Sequence, residues 1–190
     1  MHPLRVTVAV RWPTPLKRTI PSLGVKTKRA TPRAFVRASA VTPAPRAWHQ
    51  ELVGRLGFAL RLYLRDVPTF HLFTAPADIS WGPDILVQPD LLVVPIAEAR
   101  TMDWAQLKGL VFTIEVLSPS TARYDRFTKR RLYQSVGVPL YWIVDPDTRS
   151  VEVWTPDALF PRVAMERVEW VAPGSAAAFA VELAELFRPV

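Results

Sequence analysis

Two carboxylates and one lysine occupy positions at which they could do chemistry. Asp90 lies inside the apolar run ILVQPDLLVVP, and Glu115 lies in the middle of the apolar strand pattern VFTIEVL. A charged carboxylate is rarely placed in such a run unless something there pairs with it or binds to it. Lys129 follows on a short amphipathic segment. Two acids that intrude on buried strands, with a lysine near them, indicate a cation site.

The cation that fits these residue types is Mg²⁺, with Mn²⁺ as the alternative ion. Mg²⁺ is commonly held by one or two carboxylates together with water and substrate phosphate. Such an ion lowers the pKa of a bound water and offsets charge on a phosphate under attack. A nearby lysine orients or deprotonates that water, or stabilises the developing negative charge. Together these roles outline phosphodiester hydrolysis.

Each of the three residues also has an explanation without function. Asp90 can terminate or bulge a strand, and Glu115 can pair with an arginine in a buried salt bridge. Lys129 belongs to a basic cluster within residues 126–131, which alone is typical of a solvated helix face. Taken singly, Lys129 fits the solvated face better than a catalytic role. Taken together, the three residues favour function.

The length and composition fit one domain without disulfides. A chain of 190 residues with 49% hydrophobic residues has enough apolar content for a core. It contains no cysteine, which excludes disulfides and thiolate metal sites. The sequence has no apolar run of the roughly 20 residues needed to cross a bilayer and no apolar leader typical of a secretory signal. We therefore expect a cytoplasmic protein without a membrane partner.

The basic character of the chain is confined to its N-terminal quarter. Residues 1–46 hold ten Lys and Arg, no acidic residue and seven of the nineteen prolines. Residues 47–190 hold fourteen basic and all seventeen acidic residues, a net charge of −3. We expect residues 1–41 to form a basic, Pro-rich, poorly ordered segment with one short strand within 6–12. Such segments stay solvated or lie on nucleic acid or an anionic membrane surface.

The domain over residues 42–190 begins with a helix and a group of strands. Apolar residues recur at helical spacing from Trp48 to about Arg65. His49 and Glu51 fall in the first turns of this helix, where we expect both to be solvated. Strand patterns follow over 69–74, 77–80 and 85–94, and the turn residues between them predict an antiparallel meander.

The strand that contains Glu115 leads into a second helix. Thr121 or Asp125 is predicted to cap this helix, and Gly137 is predicted to end it in the left-handed conformation. Three residues of the helix recur every four positions and therefore share one stripe. They are Asp125, Lys129 and Tyr133.

The remaining elements complete a mixed sheet flanked by helices, an α/β fold. A connection over 97–108 contains one predicted helical turn near Trp104. The run LYWIV at 140–144 is typical of a strand covered on both faces, and DPDTRS after it predicts a hairpin. A short closing helix is expected over 178–187.

The order of these motifs resembles a known family. Gln88-Pro89-Asp90 is followed by EVLSPST from Glu115, then by Asp125 with Lys129 and Tyr133, then by GVPLYWIVD from Gly137. Over roughly residues 42–187 the sequence resembles the Uma-type restriction endonuclease family, a branch of the PD-(D/E)XK nuclease superfamily. The EVLSPST and YWIVD blocks are specific, whereas Pro-Asp alone is weak.

The resemblance implies a restriction-endonuclease-like fold and assigns roles to three residues. By this resemblance, Asp90 and Glu115 would be catalytic, metal-binding carboxylates. The superfamily pattern places a lysine two positions after the glutamate, where this chain has Leu117. Members of this branch supply the lysine from the following helix, and Lys129 is the matching position. Lys129 is therefore the third expected catalytic residue.

The function that the resemblance implies is that of a Mg²⁺-dependent DNA endonuclease. It would hydrolyse phosphodiester bonds with a carboxylate-bound metal and an activated water, and DNA would be its partner. A catalytically inactive nucleic-acid-binding or protein-interaction module on the same fold is the alternative. The sequence leaves a homodimer open.

Overall fold

A six-stranded mixed sheet forms the centre of the fold and positions the candidate site. The structure is a computed structural model that describes residues 6–9, 47–83 and 85–190. Its strands are β1 (Val6–Ala9), β2 (Phe70–Thr74), β3 (Ile79–Gly82), β4 (Ile85–Val87), β5 (Leu91–Pro95), β6 (Phe112–Val116), β7 (Tyr141–Asp145), β8 (Ser150–Trp154), β9 (Arg162–Ala164), β10 (Arg167–Trp170) and β11 (Ala177–Glu182). Its helices are α1 (Ala47–Arg65), α2 (Ile96–Ala99), α3 (Arg130–Ser135) and α4 (Leu183–Leu186), with a 3₁₀ turn over Trp104–Gln106 and a π-helical segment over Tyr124–Lys129.

The central sheet combines one parallel pair of strands with antiparallel neighbours. Its order is β2-β5-β6-β7-β8-β9. β6 and β7 run parallel, with Glu115 opposite Ile143, and the other neighbouring pairs of this sheet are antiparallel. A second sheet has the order β1-β11-β10, and β3 pairs with β4 in a separate ribbon. The fold is therefore the predicted mixed α/β class, with a sheet flanked by helices.

Helix α1 packs its apolar stripe on the central sheet, where it contacts β2 and β6. Leu52 and Leu56 are at most 1% exposed because four-residue spacing places them on one face. Burial of such a side chain contributes about 1.5–3 kcal/mol. Arg55 is also buried, and it donates hydrogen bonds to the carbonyl oxygens of Leu186 at 2.8 Å and Arg188 at 2.6 Å. These bonds fasten the C-terminal residues to α1.

Strand β7 is buried along its whole length, as is its neighbour β6. All five of its residues are buried, and Trp142 and Ile143 are 0% exposed. The ring of Phe112 on β6 lies edge-on to Trp142 with 4.7 Å between the ring centroids. The predicted strand with two covered faces is confirmed, as is the hairpin that follows, because β7 pairs antiparallel with β8.

The predicted meander over residues 69–94 is wrong in its pairing. The run expected to be one strand over 85–94 forms β4 and β5, interrupted at Gln88, Pro89 and Asp90. β4 pairs with β3, whereas β5 pairs with β2 and β6. Pro89 explains the interruption, since proline has no N–H to donate to a strand ladder. Asp90 therefore lies at the bend before β5.

The closing helix expected over 178–187 is also wrong in its larger part. Most of this run is β11, and helix α4 contains only the four residues Leu183–Leu186. β11 pairs with β1 on one side and β10 on the other, so both rows of its backbone hydrogen-bonding groups have strand partners. That pairing satisfies buried backbone as well as a helix would.

Only β1 is described within the basic N-terminal segment. β1 runs parallel to β11, with Val6 opposite Ala177, and is the short strand expected within 6–12. The remainder of the segment expected over 1–41, with its predicted lack of order, lies outside the described residues. Within the described part of the chain, no helix is both long enough and apolar enough to cross a membrane.

Candidate active site

The two predicted metal-binding acids are brought together by the pairing of β5 with β6. Leu91 lies opposite Ile114 in this antiparallel pair, so the flanking residues Asp90 and Glu115 converge. Asp90 Oδ2 accepts a hydrogen bond from the backbone N–H of Val116 at 2.8 Å. This bond holds the Asp90 carboxylate beside the strand that carries Glu115.

Glu115 lies at the buried centre of the site, with 2% of its surface exposed. Its Oε1 accepts hydrogen bonds from Lys129 Nζ at 2.8 Å and from the Tyr133 hydroxyl at 3.2 Å. Burial raises the pKa of the Glu115 carboxyl to about 8 despite the opposing effect of Lys129, and the charges of Asp90 and Asp125 raise it further. The pocket therefore favours an added positive charge next to Glu115.

Lys129 reaches the acids from the π-helical segment. Its Nζ donates to the backbone carbonyl of Gln88 at 3.1 Å as well as to Glu115, and it lies 3.1 Å from Asp125 Oδ1. Burial opposes ionisation, yet the two carboxylates raise the pKa of Lys129 above its ordinary value. The side chain is only 10% exposed. The alternative that places Lys129 on a solvated helix face is therefore wrong. Arg131, from the same basic cluster, is exposed.

The helical segment after β6 carries three side chains on one stripe, as predicted, and the structure directs that stripe toward Glu115. Asp125 and Lys129 are 1% and 8% exposed, and Tyr133 is 0% exposed. Asp125 does not cap the helix, because it lies inside the π-helical segment, with its N–H donated to the Thr121 carbonyl at 2.9 Å. Gly137 has φ of +74° after the helix ends, which is the left-handed conformation that glycine adopts readily.

Asp125 is a third buried carboxylate to which the sequence assigned no role in the site. Its Oδ1 is buried and forms an ion pair with Lys129 Nζ at 3.1 Å. Four-residue spacing from Lys129 was the available signal, since it puts both side chains on one helix face.

His49 was expected to be solvated, and the structure corrects this. Its side chain is 11% exposed, and its Nε2 lies 3.4 Å from Asp90 Oδ1. The hydrogen bond to Asp90 raises the pKa of His49, against the lowering effect of burial. His49 precedes Leu52 by three residues and Leu56 by seven, so helical spacing alone placed it on the buried face. Glu51 instead forms a partly exposed ion pair with Arg55 at 2.7 Å.

A small pocket adjoins the acid pair on the His49 side. It has a volume of about 150 Å³ and is lined in part by Trp48, His49 and Ser118. Arg126 forms part of its wall and is held by ion pairs to Asp145 at 2.6 Å and Glu152 at 2.7 Å. Arg126 is thus a fixed part of the wall, whereas Lys129 belongs to the acid cluster.

The residues fit a divalent cation bound by two carboxylates. Asp90 and Glu115 offer hard oxygen ligands, and the buried Asp125 carboxylate adds negative charge close by. Among the described residues, no group of three or more His, Cys, Asp or Glu side chains is placed to hold a metal ion. A protein site for Mg²⁺ commonly has one or two carboxylates and leaves the other positions to water and substrate phosphate. The donor set therefore suits Mg²⁺ better than an ion that needs a complete protein cage.

The mixed sheet and the flanking helices form an α/β domain whose fold is similar to that of a solved nuclease-like structure. A solved structure described as "a putative nuclease belonging to DUF820", from Anabaena variabilis, is similar to this chain with a TM-score of 0.61. The two share 22% sequence identity, and the likeness covers 76% of this chain and 83% of that chain. It shows the fold. No curated protein matches the chain.

Residues 37–183 match the family described as "Uma2: Putative restriction endonuclease". The chain belongs to the Uma2 family, and the predicted resemblance is confirmed. Family and fold together support a nuclease-type, hydrolytic function.

Proposed function

We propose that the protein is a divalent-metal-dependent endonuclease that hydrolyses phosphodiester bonds of DNA. The observation that carries this proposal is the convergence of Asp90, Glu115 and Lys129 from three separate elements. The bend before β5, the strand β6 and the π-helical segment each supply one of them, and Lys129 Nζ lies 2.8 Å from Glu115 Oε1. Family membership supports the same reaction class.

Asp90 and Glu115 would hold Mg²⁺, with Mn²⁺ as the alternative ion. When bound, the ion supplies a water of lowered pKa and offsets charge on the phosphate. Asp90 is oriented for this role by the Val116 N–H and by His49. Glu115 is oriented by Lys129 and by the Tyr133 hydroxyl.

Lys129 would stabilise the negative charge that develops on the phosphate. Its Nζ is directed by Glu115 and by the backbone carbonyl of Gln88, so its position does not depend on a flexible, solvated side chain. A charge fixed before the reaction stabilises a transition state without reorganisation at the moment of reaction. Most of the site is also screened from solvent, which strengthens such an interaction.

A catalytically inactive nucleic-acid-binding module is the second candidate. The direct contact between Glu115 and Lys129 favours it, since this pair also satisfies the description of a closed structural salt bridge. In that case the acids would stabilise the fold and no ion would be required.

Nicking of supercoiled plasmid DNA separates the two candidates. The wild type should nick with Mg²⁺ or Mn²⁺ and stop with a chelator, whereas Glu115→Gln should be inactive. Asp157→Asn is the matched control, because Asp157 is exposed and its substitution removes the same charge away from the site. A wild type that binds DNA but nicks with neither ion would favour the inactive module. Equal nicking by Glu115→Gln and wild type would overturn the proposed site.

A further inference from the structure

The outer face of the helical segment that carries Lys129 is aromatic and basic. Tyr124 and Phe127 are 46% and 54% exposed. They line an open groove of about 560 Å³, which we call the aromatic groove. Its lining residues are Ser120, Arg123, Tyr124, Phe127, Thr128 and Arg131. Two exposed rings in one groove are unusual for a surface with no partner, because exposed contiguous apolar surface is generally kept small.

The π-helical segment places this groove and the acid cluster on opposite sides of the same turns. Within Tyr124–Lys129, Asp125 and Lys129 point inward and are buried, while Tyr124 and Phe127 point outward. Lys129 Nζ lies 5.9 Å from the centre of the Tyr124 ring, so the groove begins next to the site. π-helical turns are rare and occur frequently at functional sites.

The charges in the groove are available to an anion. Arg123 and Arg131 are exposed, and neither forms a salt bridge with any residue in the described ranges. Arg126 and Arg130 on the same segment are engaged, the first by Asp145 and Glu152 and the second by Gln134 and the Trp154 ring. Residues 47–190 carry a net charge of −3. The two exposed arginines beside the two rings are therefore a local concentration of positive charge.

We propose that the aromatic groove binds single-stranded nucleic acid, with bases stacked on Tyr124 and Phe127 and phosphates on Arg123 and Arg131. Two rings flanked by two cations can contact both the bases and the phosphates of a single strand. A duplex hides its base faces in the stack, so exposed rings offer it little. Every base has a flat face, and stacking on aromatic side chains therefore tolerates any sequence.

This inference rests on the proposed function and adds the substrate class to it. An unpaired base on Tyr124 would lie beside Lys129, so the cleaved phosphate would belong to an unpaired segment of DNA. The substrate would then be single-stranded DNA, or DNA with an unpaired region at the cleavage point.

Binding measured without metal tests the groove independently of catalysis. Fluorescence anisotropy of the full chain, in chelator, would compare a labelled oligothymidine of about 12 nucleotides with a duplex of the same length. The wild type should bind the single strand more tightly. Tyr124→Leu and Phe127→Leu keep an apolar side chain but remove the stacking face, and each should weaken single-strand binding by roughly 5- to 100-fold. Phe127→Trp should retain it.

The arginines give a second, separate readout. Arg123→Gln and Arg131→Gln should each make the slope of log affinity against log salt shallower by about 0.7 for the single strand. Phe160→Leu is the matched control, because Phe160 is 83% exposed and lies outside the groove. The basic N-terminal segment is present in every variant, so its contribution to affinity cancels when a variant is compared with the wild type on the same ligand.

Two outcomes would contradict the proposal that the aromatic groove binds single-stranded nucleic acid. One is equal or tighter binding of the duplex by the wild type, and the other is unchanged single-strand affinity in both leucine variants. Metal-dependent nicking in the plasmid assay would stand in either case, so failure of the groove remains distinguishable from failure of the nuclease proposal.

Discussion

Glu115 Oε1 and Lys129 Nζ lie 2.8 Å apart in a region that little solvent reaches. Removing both charges from water is costly, and a buried pair is often no more stabilising than apolar residues of the same volume. Stability alone therefore gives a weak reason for an ion pair here. Chemistry gives a stronger one, because Asp125 adds a second carboxylate beside the same lysine and Asp90 adds another near Glu115.

The first prediction concerns the two acids. Asp90→Asn and Glu115→Gln should abolish metal-dependent nicking and leave the melting temperature unchanged or raised. Each substitution removes a ligand charge and also relieves repulsion among neighbouring carboxylates. In the Glu115→Gln variant, Lys129 still has the Asp125 carboxylate as an ion-pair partner, so its charge is not left alone. A closed structural bridge predicts instead a loss of about 3–5 kcal/mol in the free energy of unfolding, because one buried charge is left alone.

The second prediction concerns the ion itself. Mg²⁺ should raise the melting temperature of the wild type, since a ligand that binds only the folded state stabilises it, by about 2.7 kcal/mol at 100 times the dissociation constant. Asp90→Asn and Glu115→Gln should respond much less. Lys129→Met, which keeps the length of the side chain, should retain the response and lose turnover. Differential scanning fluorimetry with and without Mg²⁺ measures this, and equal shifts in all proteins would place the ion elsewhere.

The third prediction concerns His49 as a positioning residue. His49→Ala should lower kcat with little change in KM, because the histidine contacts Asp90 and would not contact DNA in this role. His49→Gln restores a donor near Asp90 and should recover part of the loss. Steady-state cleavage kinetics of both variants provide the measurement. A purely structural role predicts lower melting temperatures for both and the same kcat per folded molecule.

The fourth prediction concerns pH and the Asp145–Arg126 pair. Burial alone would raise the pKa of the Asp145 carboxyl. The hydrogen bond that Arg126 donates at 2.6 Å outweighs this effect and lowers the pKa below its ordinary 3.8. A depressed carboxyl contributes stability that is present above its unfolded pKa and is lost as pH falls through the folded one. Asp145→Asn should thus be less stable than wild type at neutral pH, and the gap should close below about pH 3.8.

Urea unfolding across that pH range tests the Asp145 prediction. Asparagine keeps an acceptor for the N–H groups of Asp147 and Thr148, which bond to Asp145 Oδ1, so the turn is conserved. Asp157→Asn, at an exposed site, should show no such gap. If the difference in stability between the wild type and Asp145→Asn stays the same in acid, the lower stability of the variant comes from packing.

The fifth prediction concerns the core. Ile143→Ala on β7 should lower the free energy of unfolding by about 2–5 kcal/mol, through lost burial and a cavity. Ile143 is 0% exposed. Val163→Ala on β9 is the comparison, because Val163 is 53% exposed and should change stability little. Comparable losses in both would contradict the central position of β7.

Local patterns in the sequence were sufficient wherever a single element carried the signal. The leucine spacing of α1 and the apolar run of β7 predicted both elements, and the two intruding acids predicted their own convergence once their strands paired. Pro89 is visible in the sequence, and it lacks an N–H for a strand ladder. Whether this interrupts the strand depends on which strand β5 pairs with, and the sequence does not show that. β11 was mistaken for a helix because one of its pairing partners, β1, lies near the other end of the chain and the other, β10, was not predicted as a strand.

The site residues missed by the sequence prediction depend on tertiary contacts. Helical spacing puts His49 on the buried face of α1, but its contact with Asp90 follows only from the way α1 lies across the sheet. Asp125 was visible in the stripe with Lys129, but its burial depends on the segment folding back over β6. The π-helical turns themselves leave no signal in composition or period.

The parallel pairing of β6 and β7 constrains where a lysine can be encoded. Antiparallel neighbours can be joined by a tight turn, but parallel neighbours need a crossover that returns the chain to the same end of the sheet. Here the crossover passes over Glu115, as the contacts of Lys129 and Tyr133 show. A lysine on the crossover, fourteen residues beyond Glu115, therefore reaches the Glu115 carboxylate although position 117 holds a leucine. The place of this lysine is described better by its location above a strand than by its spacing along the chain.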